Sequence, residues 1–264
     1  MSKQICSPDK TYSYTCFNMK SLQNIAKKIN KDDRFSSYKD INIKKYNKNN
    51  KKKFVNEIQK KLNCNSKLDF CILEKETEFY NEIKSTMKPK GPGGKEWLST
   101  IDIADVMKQY MRRYKDFLFF GPVPMDFLEI YKELANINIK KLCKNKKRIG
   151  IVFNTDTSQG SGEHWISLFM DMGDRTICFF DSVGDRPPKP VRTLINNVVK
   201  QSKAIGKPLK VVINTKQHQY KNSECGIYSL FHIISRLNGK SCSYIYNKVV
   251  KDEEMSKYRK KFFR

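Results

Sequence analysis

Short apolar segments that alternate with segments of helical spacing most constrain the fold of this chain. Their length and composition predict β-strands at 117–120, 149–154, 165–171, 176–181 and 209–214. The loop "TDTSQGSGEH" joins the second and third of these segments, and its Ser, Thr, Gly and Asp content is typical of an exposed, sharply turned connection. The third and fourth are joined by a turn at "MGD", so they are expected to pair as a hairpin.

Helical patterns surround these strands. The spacing predicts a helix capped by Asp102, a second at about 126–134, a third with its apolar face across 191–199, and a charged amphipathic helix around "DEEMSKYRKKFF". Another helix is predicted to run from Cys225 to about Leu237, where Asn238 and Gly239 form a stop signal. Mixed strands and helices in this order indicate an α+β domain.

The first ninety residues differ from the rest in composition. They are rich in Lys, Asn and Ser, and the short apolar patches at 54–62 and 70–74 are typical of two or three modest helices. The Pro- and Gly-rich segment "KPKGPGGKEW" at 88–97 then interrupts regular structure. We therefore expect residues 1–90 to form a smaller, basic, mainly helical N-terminal arm and residues 91–264 to form the core domain.

The net charge restricts the partners of the chain more than its fold. With 52 Lys and Arg against 27 Asp and Glu, the formal charge is +25, and the excess is spread along the sequence. Such a balance favours encounters with polyanions or acidic partners. A Lys- and Asn-rich composition is also what an AT-rich genome produces, and the sequence leaves both explanations open.

Further compositional features bear on location and on metal binding. No apolar run reaches the roughly 18 residues that a membrane span needs, and the N-terminus lacks the apolar stretch of a signal peptide, so a soluble intracellular protein without membrane contact is expected. The 8 cysteines show neither a C-x-x-C pair nor matching histidine spacing. This pattern indicates neither a zinc site nor a disulfide framework, and most of the thiols are expected to be reduced apolar residues.

The stretch "NSECGIYSLFHII" places a thiol at the start of a predicted buried helix. Unpaired N–H groups and the helix dipole stabilise a thiolate at this position. A cysteine at a helix start is usually a packing residue, so Cys225 needs a partner to count as a nucleophile. The chain has 3 histidines, and His164 is placed at the head of a predicted strand, where a general base would be both exposed and rigidly held.

The other two histidines are weaker partners. His232 lies within the apolar run of the Cys225 helix and is expected to be a core or half-exposed residue, and His218 lies in a polar loop with poor orientation. In the predicted hairpin, Asp181 returns beside His164 and can hold the far nitrogen of the imidazole in one tautomer. The competing carboxylates Asp156, Asp171 and Asp174 lie in loops.

Acyl transfer also needs donors for the oxyanion of a tetrahedral intermediate. The backbone N–H of Cys225 is one candidate, and the side-chain amide of Gln219 is a second. A glutamine in a loop is ordinarily a solvated residue, so this assignment depends on the rest of the set.

Taken together, "GEHWISLFMDMGDRTICFFDSVG" and "QHQYKNSECGIYSLF" resemble the SUMO-protease and adenovirus-protease superfamily of cysteine peptidases, including the polyprotein-processing proteases of large DNA viruses. The resemblance is good over about 95–264 and faint before that. It implies a mixed central sheet flanked by helices and no cofactor or metal. It further implies that Cys225 is the nucleophile, His164 the base, Asp181 its orienting partner and Gln219 the oxyanion donor.

The resemblance also implies a substrate. In this superfamily two tryptophans roof a narrow channel for Gly-Gly, and Trp97 and Trp165 match those positions, although Trp165 fits a core position equally well. The implied function is a viral thiol protease that cuts Gly-Gly-Xaa sites in structural polyproteins during virion maturation, in the virion and the host cytoplasm. The alternative is removal of SUMO, ubiquitin or a similar modifier.

A non-enzymatic alternative comes from the charge. The basic segments at 139–148 and 258–264, together with the arm, would suit a nucleic-acid-binding module. No known nucleic-acid motif accompanies them, and the aromatic residues do not form a stacking platform. Nucleic-acid binding is therefore expected at most as an accessory property.

Overall fold

The computed structural model describes residues 5–8, 14–74, 86–94 and 96–264. It divides into two compact units, one made of Met1–Pro89 with Phe263–Arg264 and the other of Lys90–Phe262. Each unit has its own buried apolar cluster.

The first unit is built from helices. They are α1 (Met19–Lys31), α2 (Lys51–Lys61) and α3 (Leu68–Glu74), with single 3-10 turns at 33–35, 43–45 and 48–50. Asn18 caps α1 by accepting a hydrogen bond from the N–H of Ser21 at 2.8 Å. The apolar patches noted in the sequence at 54–62 and 70–74 overlap α2 and α3, and their side chains pack against the apolar face of α1.

The second unit holds a five-stranded sheet and the remaining helices. In chain order its elements are α4 (Thr100–Arg113), β1 (Phe117–Val123), α5 (Phe127–Ile130), α6 (Lys132–Ala135), α7 (Ile139–Leu142), β2 (Arg148–Asn154), β3 (Trp165–Asp171), β4 (Thr176–Phe180), α8 (Lys189–Ala204), β5 (Lys210–Ile213), α9 (Cys225–Leu237), α10 (Cys242–Asn247) and α11 (Asp252–Phe262). This is the α+β architecture that the sequence predicted.

The direction of the strands gathers several chain ends at one edge of the sheet. The strand order is β1-β2-β3-β4-β5, with β1 parallel to β2, β3 antiparallel to both neighbours and β4 parallel to β5. The carboxyl ends of β1, β2, β4 and β5 therefore meet the amino end of β3 at the same edge. Loops at such an edge are where sheets of this kind usually bind ligands.

Helices cover both faces of the sheet. Alternate residues of β3 point to opposite faces, so Ile166, Leu168 and Met170 join the apolar cluster that contains the inner side of α8. On the other face, Ser167 lies 2.8 Å from Nδ1 of His232, a residue of α9. The helix that starts at Cys225 is buried along almost its whole length. Its amino end reaches the sheet edge described above.

Three local predictions need adjustment. The first helix of this unit starts earlier than predicted, because Ser99 is its cap and Asp102 completes a capping box by accepting from the Ser99 N–H at 2.8 Å. The helix expected at about 126–134 is split into α5 and α6. The strand expected to end at residue 120 continues to Val123 through a cis Gly121–Pro122 peptide bond.

The expectation that most cysteines are reduced was wrong. The structure pairs Cys6 with Cys16, Cys64 with Cys71, and Cys178 with Cys242 as disulfides. The paired cysteines are 10, 7 and 64 positions apart in sequence, and no C-x-x-C spacing marks any of these pairs. Cys143 and Cys225 carry free thiols.

Within the described ranges, no helix is both long enough and apolar enough to cross a bilayer.

Candidate active site

Two neighbouring strands bring an imidazole and a carboxylate together at the sheet edge. His164 immediately precedes β3, Asp181 immediately follows β4, and the two strands are antiparallel partners. Nε2 of His164 lies 2.8 Å from Oδ1 of Asp181. The pairing expected from the hairpin pattern is therefore present in the structure.

Backbone and side-chain contacts hold both residues in place. The N–H of Val183 donates to Oδ1 of Asp181 at 2.9 Å, and the side-chain amide of Asn214 donates to the Asp181 carbonyl at 2.8 Å. The His164 carbonyl accepts from the N–H of Thr155 at 2.8 Å. The carboxylate is 4% exposed, so its charge is directed at the imidazole with little screening by water.

The third member of the group comes from a distant part of the chain. Cys225 is the first residue of α9, its thiol is free and 2% exposed, and it lies close enough to the ring of His164 to raise the pKa of that ring. Because Asp181 occupies Nε2, the nitrogen left for the thiol is Nδ1. Imidazole, carboxylate and sulfur thus form a continuous chain.

The electrostatics of the group favour a charged imidazole. Burial disfavours the cationic ring of His164, but the hydrogen bonds and charges of Asp181 and Cys225 outweigh this and raise its pKa from 6.5 to about 10. A protonated imidazole beside a sulfur at a helix start is the arrangement that activates a cysteine as a nucleophile.

Gln219 lies on the Asp181 side of the site. Its backbone N–H donates to the Ser182 carbonyl at 2.9 Å, and its side-chain Oε1 accepts from the Ser182 hydroxyl at 2.7 Å. Its Nε2 donates to the carbonyl of Lys221. Since the oxygen is held by Ser182, the amide presents its donor end away from that hydroxyl, and one of its two N–H groups is left for another acceptor.

The two tryptophans occupy different environments. Trp165 is 6% exposed, and its indole N–H donates to the carbonyl of Leu98 at 2.9 Å. Trp97, which directly precedes Leu98, is 47% exposed. The buried indole of Trp165 therefore fixes the backbone segment that carries the exposed indole of Trp97.

A close contact links this segment to the residue that follows Cys225. A Cβ built on Gly226 would lie 3.0 Å from two side-chain carbons of Leu98. A glycine directly after Cys225 therefore lets Leu98 sit against the start of α9. Trp97 and Cys225 are brought near each other by this contact.

A cleft of about 310 Å³ adjoins Trp165. It is lined by residues from the ends of β1 and β2, the start of α4, the end of α5 and the loop after β2, among them Thr100, Pro122, Ile130, Asn154 and Ser158. It lies beside the amino end of β3, which starts at Trp165.

The remaining histidines and carboxylates are used elsewhere. His232 is fully buried, as the core interpretation predicted. His218, which the sequence placed in a polar loop, is also buried, and its Nδ1 accepts from the N–H of Val250 at 3.4 Å. Asp156 accepts from backbone N–H groups of its own loop, and Asp174 pairs with Arg236.

Sequence reasoning missed three residues that shape this site. Ser182 directly follows Asp181, and Glu224 directly precedes Cys225. This adjacency to the candidate site residues was the available signal. Leu98 gave none, because its contact with Gly226 depends on tertiary packing. In the part of the chain that the structure describes, no three His, Cys, Asp or Glu side chains come together as a set that could hold a metal ion.

Comparison with known proteins identifies the family. The family model described as "Ulp1 protease family, C-terminal catalytic domain" matches residues 105–264, which is more than half of the chain. The chain belongs to the Ulp1 protease family. This confirms the resemblance found in the sequence.

Relatives from large DNA viruses support the assignment. A protein of Acanthamoeba polyphaga mimivirus, named as a thiol protease, is 30% identical over 284 residues, which cover 98% of this chain and 93% of the relative. The SUMO-1 cysteine protease of African swine fever virus is 30% identical over 243 residues, covering 81% and 88%. The chain is therefore a cysteine peptidase, as predicted.

A solved structure supports the fold. The crystal structure of the African swine fever virus protease matches with a TM-score of 0.72 at 24% identity, covering 100% of this chain and 96% of that one. This likeness confirms the α+β fold with its mixed central sheet.

Proposed function

We propose that residues 91–264 are the catalytic core of a viral cysteine endopeptidase, and that residues 1–90 are an accessory arm. In the core, Cys225 is the nucleophile, His164 the general base and acid, Asp181 its orienting partner and Gln219 an oxyanion donor. The observation that carries this proposal is the continuous chain from the Asp181 carboxylate through His164 to the free thiol of Cys225.

The proposed reaction is amide hydrolysis through an acyl-enzyme. In the resting pair the proton of the Cys225 thiol already lies on His164, so the thiolate attacks the scissile carbonyl carbon and the carbonyl electron pair moves onto oxygen. The amide of Gln219 and the N–H of Cys225 stabilise that oxyanion. When the C–N bond breaks, the leaving nitrogen takes the proton from His164. Water then gives a proton to His164, attacks the thioester carbon and releases the sulfur as the acid product forms.

We propose that the substrate carries Gly-Gly before the scissile bond. Trp97 and Trp165 would form the walls of a channel beside Cys225, with Trp165 anchoring Leu98 against Gly226. A channel this close to the backbone would exclude side chains, because a methyl group would clash with its walls. Structural polyproteins cut during virion maturation, in the virion and the host cytoplasm, are the proposed natural substrates. The viral origin of both relatives supports this choice.

The nucleophile is tested by substitution. Cys225→Ala is expected to abolish cleavage of a fluorogenic Gly-Gly-Xaa peptide without changing the circular dichroism spectrum. Cys143→Ser is the matched control, since Cys143 carries the other free thiol. Turnover by Cys225→Ala at the wild-type rate contradicts the proposal. A Gly-Ala-Xaa peptide cleaved as fast as Gly-Gly-Xaa contradicts the channel alone.

The second candidate is a deconjugating protease. It is favoured by the relative from African swine fever virus, which is named a SUMO-1 cysteine protease. Fluorophore conjugates of SUMO and of ubiquitin separate the two functions. Rapid turnover of a folded modifier without turnover of the peptide supports deconjugation, whereas the reverse supports polyprotein cleavage. New N-termini found in particles with active enzyme but not with the Cys225→Ala variant would identify the natural sites.

Accessory nucleic-acid binding is a separate proposal that rests on charge. Exposed lysines cluster on and after α7, including Lys140, Lys141 and Lys144. Fluorescence anisotropy with a duplex oligonucleotide tests it, because binding through phosphates falls steeply with salt. No binding at about 50 mM salt, where such contacts are strong, would rule it out.

A further inference from the structure

A buried arginine of the last helix contacts both sides of the candidate site. Arg259 lies in α11, and its side chain is 11% exposed. Its Nη2 donates to Oε2 of Glu224 at 3.1 Å and to the carbonyl of Glu96 at 2.9 Å. A longer contact of 3.4 Å reaches the carbonyl of Ser223.

The first of these contacts neutralises a charge beside the nucleophile. Glu224 directly precedes Cys225 and is 2% exposed. Its second oxygen, Oε1, accepts from the hydroxyl of Ser256 at 3.3 Å. A carboxylate buried this deeply needs a counter-charge, and Arg259 supplies it. Without it, an unbalanced negative charge would lie at the start of α9, where the sulfur has to become negative.

The second contact fixes the backbone next to the exposed tryptophan. Trp97 lies between Glu96, whose carbonyl accepts from Arg259, and Leu98, whose carbonyl accepts from the Trp165 indole. The two flanking carbonyls are thus held from two directions. The indole between them is 47% exposed, so its position depends on those anchors and not on burial.

We infer that Arg259 is a positioning residue for the proposed reaction, because one guanidinium sets both the start of the nucleophile helix and the backbone of the Trp97 wall. This inference rests on the proposed function. Arg259 acts through Glu224 and Glu96 and takes no part in bond making. All three contacts run through Nη2, and the ammonium nitrogen of a lysine would end one bond short of that atom.

The test uses the full-length protein with Arg259→Met, Arg259→Lys and, as a control, Lys260→Met, which alters the exposed neighbour on the same helix. Three quantities are measured well below the unfolding temperature of each variant. They are kcat and KM for the Gly-Gly-Xaa peptide, and the rate at which iodoacetamide alkylates Cys225, followed by mass spectrometry of the peptide that contains it.

Arg259→Met is expected to lower kcat/KM at least tenfold and to slow alkylation severalfold, because Glu224 is left without its counter-charge. Arg259→Lys is expected to restore the alkylation rate and most of kcat, since the ammonium still pairs with Glu224. Its KM is expected to stay at least threefold above wild type, because the shorter lysine side chain does not reach the Glu96 carbonyl while it pairs with Glu224. Lys260→Met is expected to match wild type. If Arg259→Met does not fold, Arg259→Lys alone tests the inference, which then requires a raised KM with most of kcat retained.

Wild-type kcat and KM in Arg259→Lys would overturn the inference. It would also be overturned if Arg259→Met lowered kcat/KM and the alkylation rate and Arg259→Lys restored neither of them. The Cys225→Ala variant separates this failure from that of the proposed function. If Cys225→Ala is inactive while the Arg259 variants behave as wild type, only the positioning role is wrong. If Cys225→Ala retains turnover, the proposed function is wrong.

Discussion

Asp181 holds His164 across a pair of antiparallel strands. Nε2 of the imidazole lies 2.8 Å from Oδ1 of the carboxylate, although the residues are 17 positions apart in sequence. The same Oδ1 accepts the N–H of Val183, so the carboxylate is fixed before it meets the ring. This relationship explains why a largely buried imidazole is expected to carry a positive charge at neutral pH.

Removal of Asp181 should change the pH dependence of catalysis. Burial lowers the pKa of His164, and the contacts with Asp181 and Cys225 raise it to about 10, so the loss of the carboxylate lowers that pKa. In Asp181→Ala the alkaline limb of kcat/KM is expected to move to lower pH by more than one unit. The value at the optimum is expected to fall on the order of 100-fold. A pH–rate profile with the fluorogenic peptide measures both.

Asp185→Ala is the matched control for this prediction, because Asp185 is an exposed carboxylate four positions further along the chain. Asp181→Asn should lose less activity than Asp181→Ala, since an amide oxygen still accepts the Nε2–H. An unchanged alkaline limb in Asp181→Ala would show that the carboxylate does not control the ionisation of His164.

The oxyanion assignment predicts a graded series at Gln219. Gln219→Ala is expected to lower kcat by roughly 10²–10³ with little change in KM, because the donor acts on charge that develops in the transition state. Ser182→Ala should lower kcat less, since it removes the 2.7 Å hydrogen bond from the Ser182 hydroxyl that orients the amide oxygen but leaves the amide itself. Steady-state kinetics of both variants check this order.

Thr193→Ala serves as the control for a lost hydroxyl, because its Oγ1 donates to the Lys189 carbonyl on the exposed side of α8. A Gln219→Ala variant that raises KM and leaves kcat unchanged would indicate ground-state binding in place of oxyanion stabilisation.

The sequence was sufficient where local pattern decides structure. The partnership of His164 and Asp181 follows from two short apolar segments joined by a turn, because a hairpin returns the chain to its starting edge. The helix from Cys225 was predicted from its spacing, and its stop signal lies at Gly239, which has a φ of 82°.

Long-range packing was out of reach of such reasoning. Cys225 meets His164 because α9 docks on β3, where the Ser229 hydroxyl donates to the Trp165 carbonyl at 3.1 Å. Nothing in the spacing of Leu98 or Arg259 indicates that they approach the start of this helix. The disulfide between Cys178 on β4 and Cys242 on α10 was missed for the same reason, because the two residues are 64 positions apart in sequence. Motif resemblance supplied the proposed catalytic set, whereas the contacts around it had to come from the structure.

The contact between Gly226 and Leu98 predicts that even one added methyl group is harmful. In Gly226→Ala the new Cβ would lie 3.0 Å from Leu98, so the Trp97 segment has to shift by a few tenths of an ångström. The expected cost is about 1–3 kcal/mol in the free energy of unfolding, together with a lower kcat/KM. Urea denaturation and peptide kinetics measure the two effects.

Gly93→Ala is the matched control, because its Cβ would meet only the Glu96 carboxylate at an ordinary 3.7 Å. If Gly226→Ala unfolds at the wild-type urea concentration and cleaves the peptide normally, the packing account of the Cys-Gly pair is wrong.

The two buried histidines outside the site predict how stability changes in acid. Burial lowers the pKa of His218 to about 4, and burial together with the charge of Arg236 lowers that of His232 to about 3. In the unfolded chain both rings titrate near 6.5, so between that pH and the folded values the unfolded state binds the extra protons. The contribution of these rings to the free energy of unfolding is therefore fully present above about pH 6.5, and it falls as the pH drops, by roughly 1.4 kcal/mol per pH unit for each ring.

Urea denaturation at pH 7, 6, 5 and 4.5 measures this slope. His218→Gln and His232→Gln should each reduce the slope of the free energy of unfolding against pH by the contribution of about one proton, whatever their effect on stability at pH 7. A slope that neither substitution changes would assign the acid sensitivity to other groups.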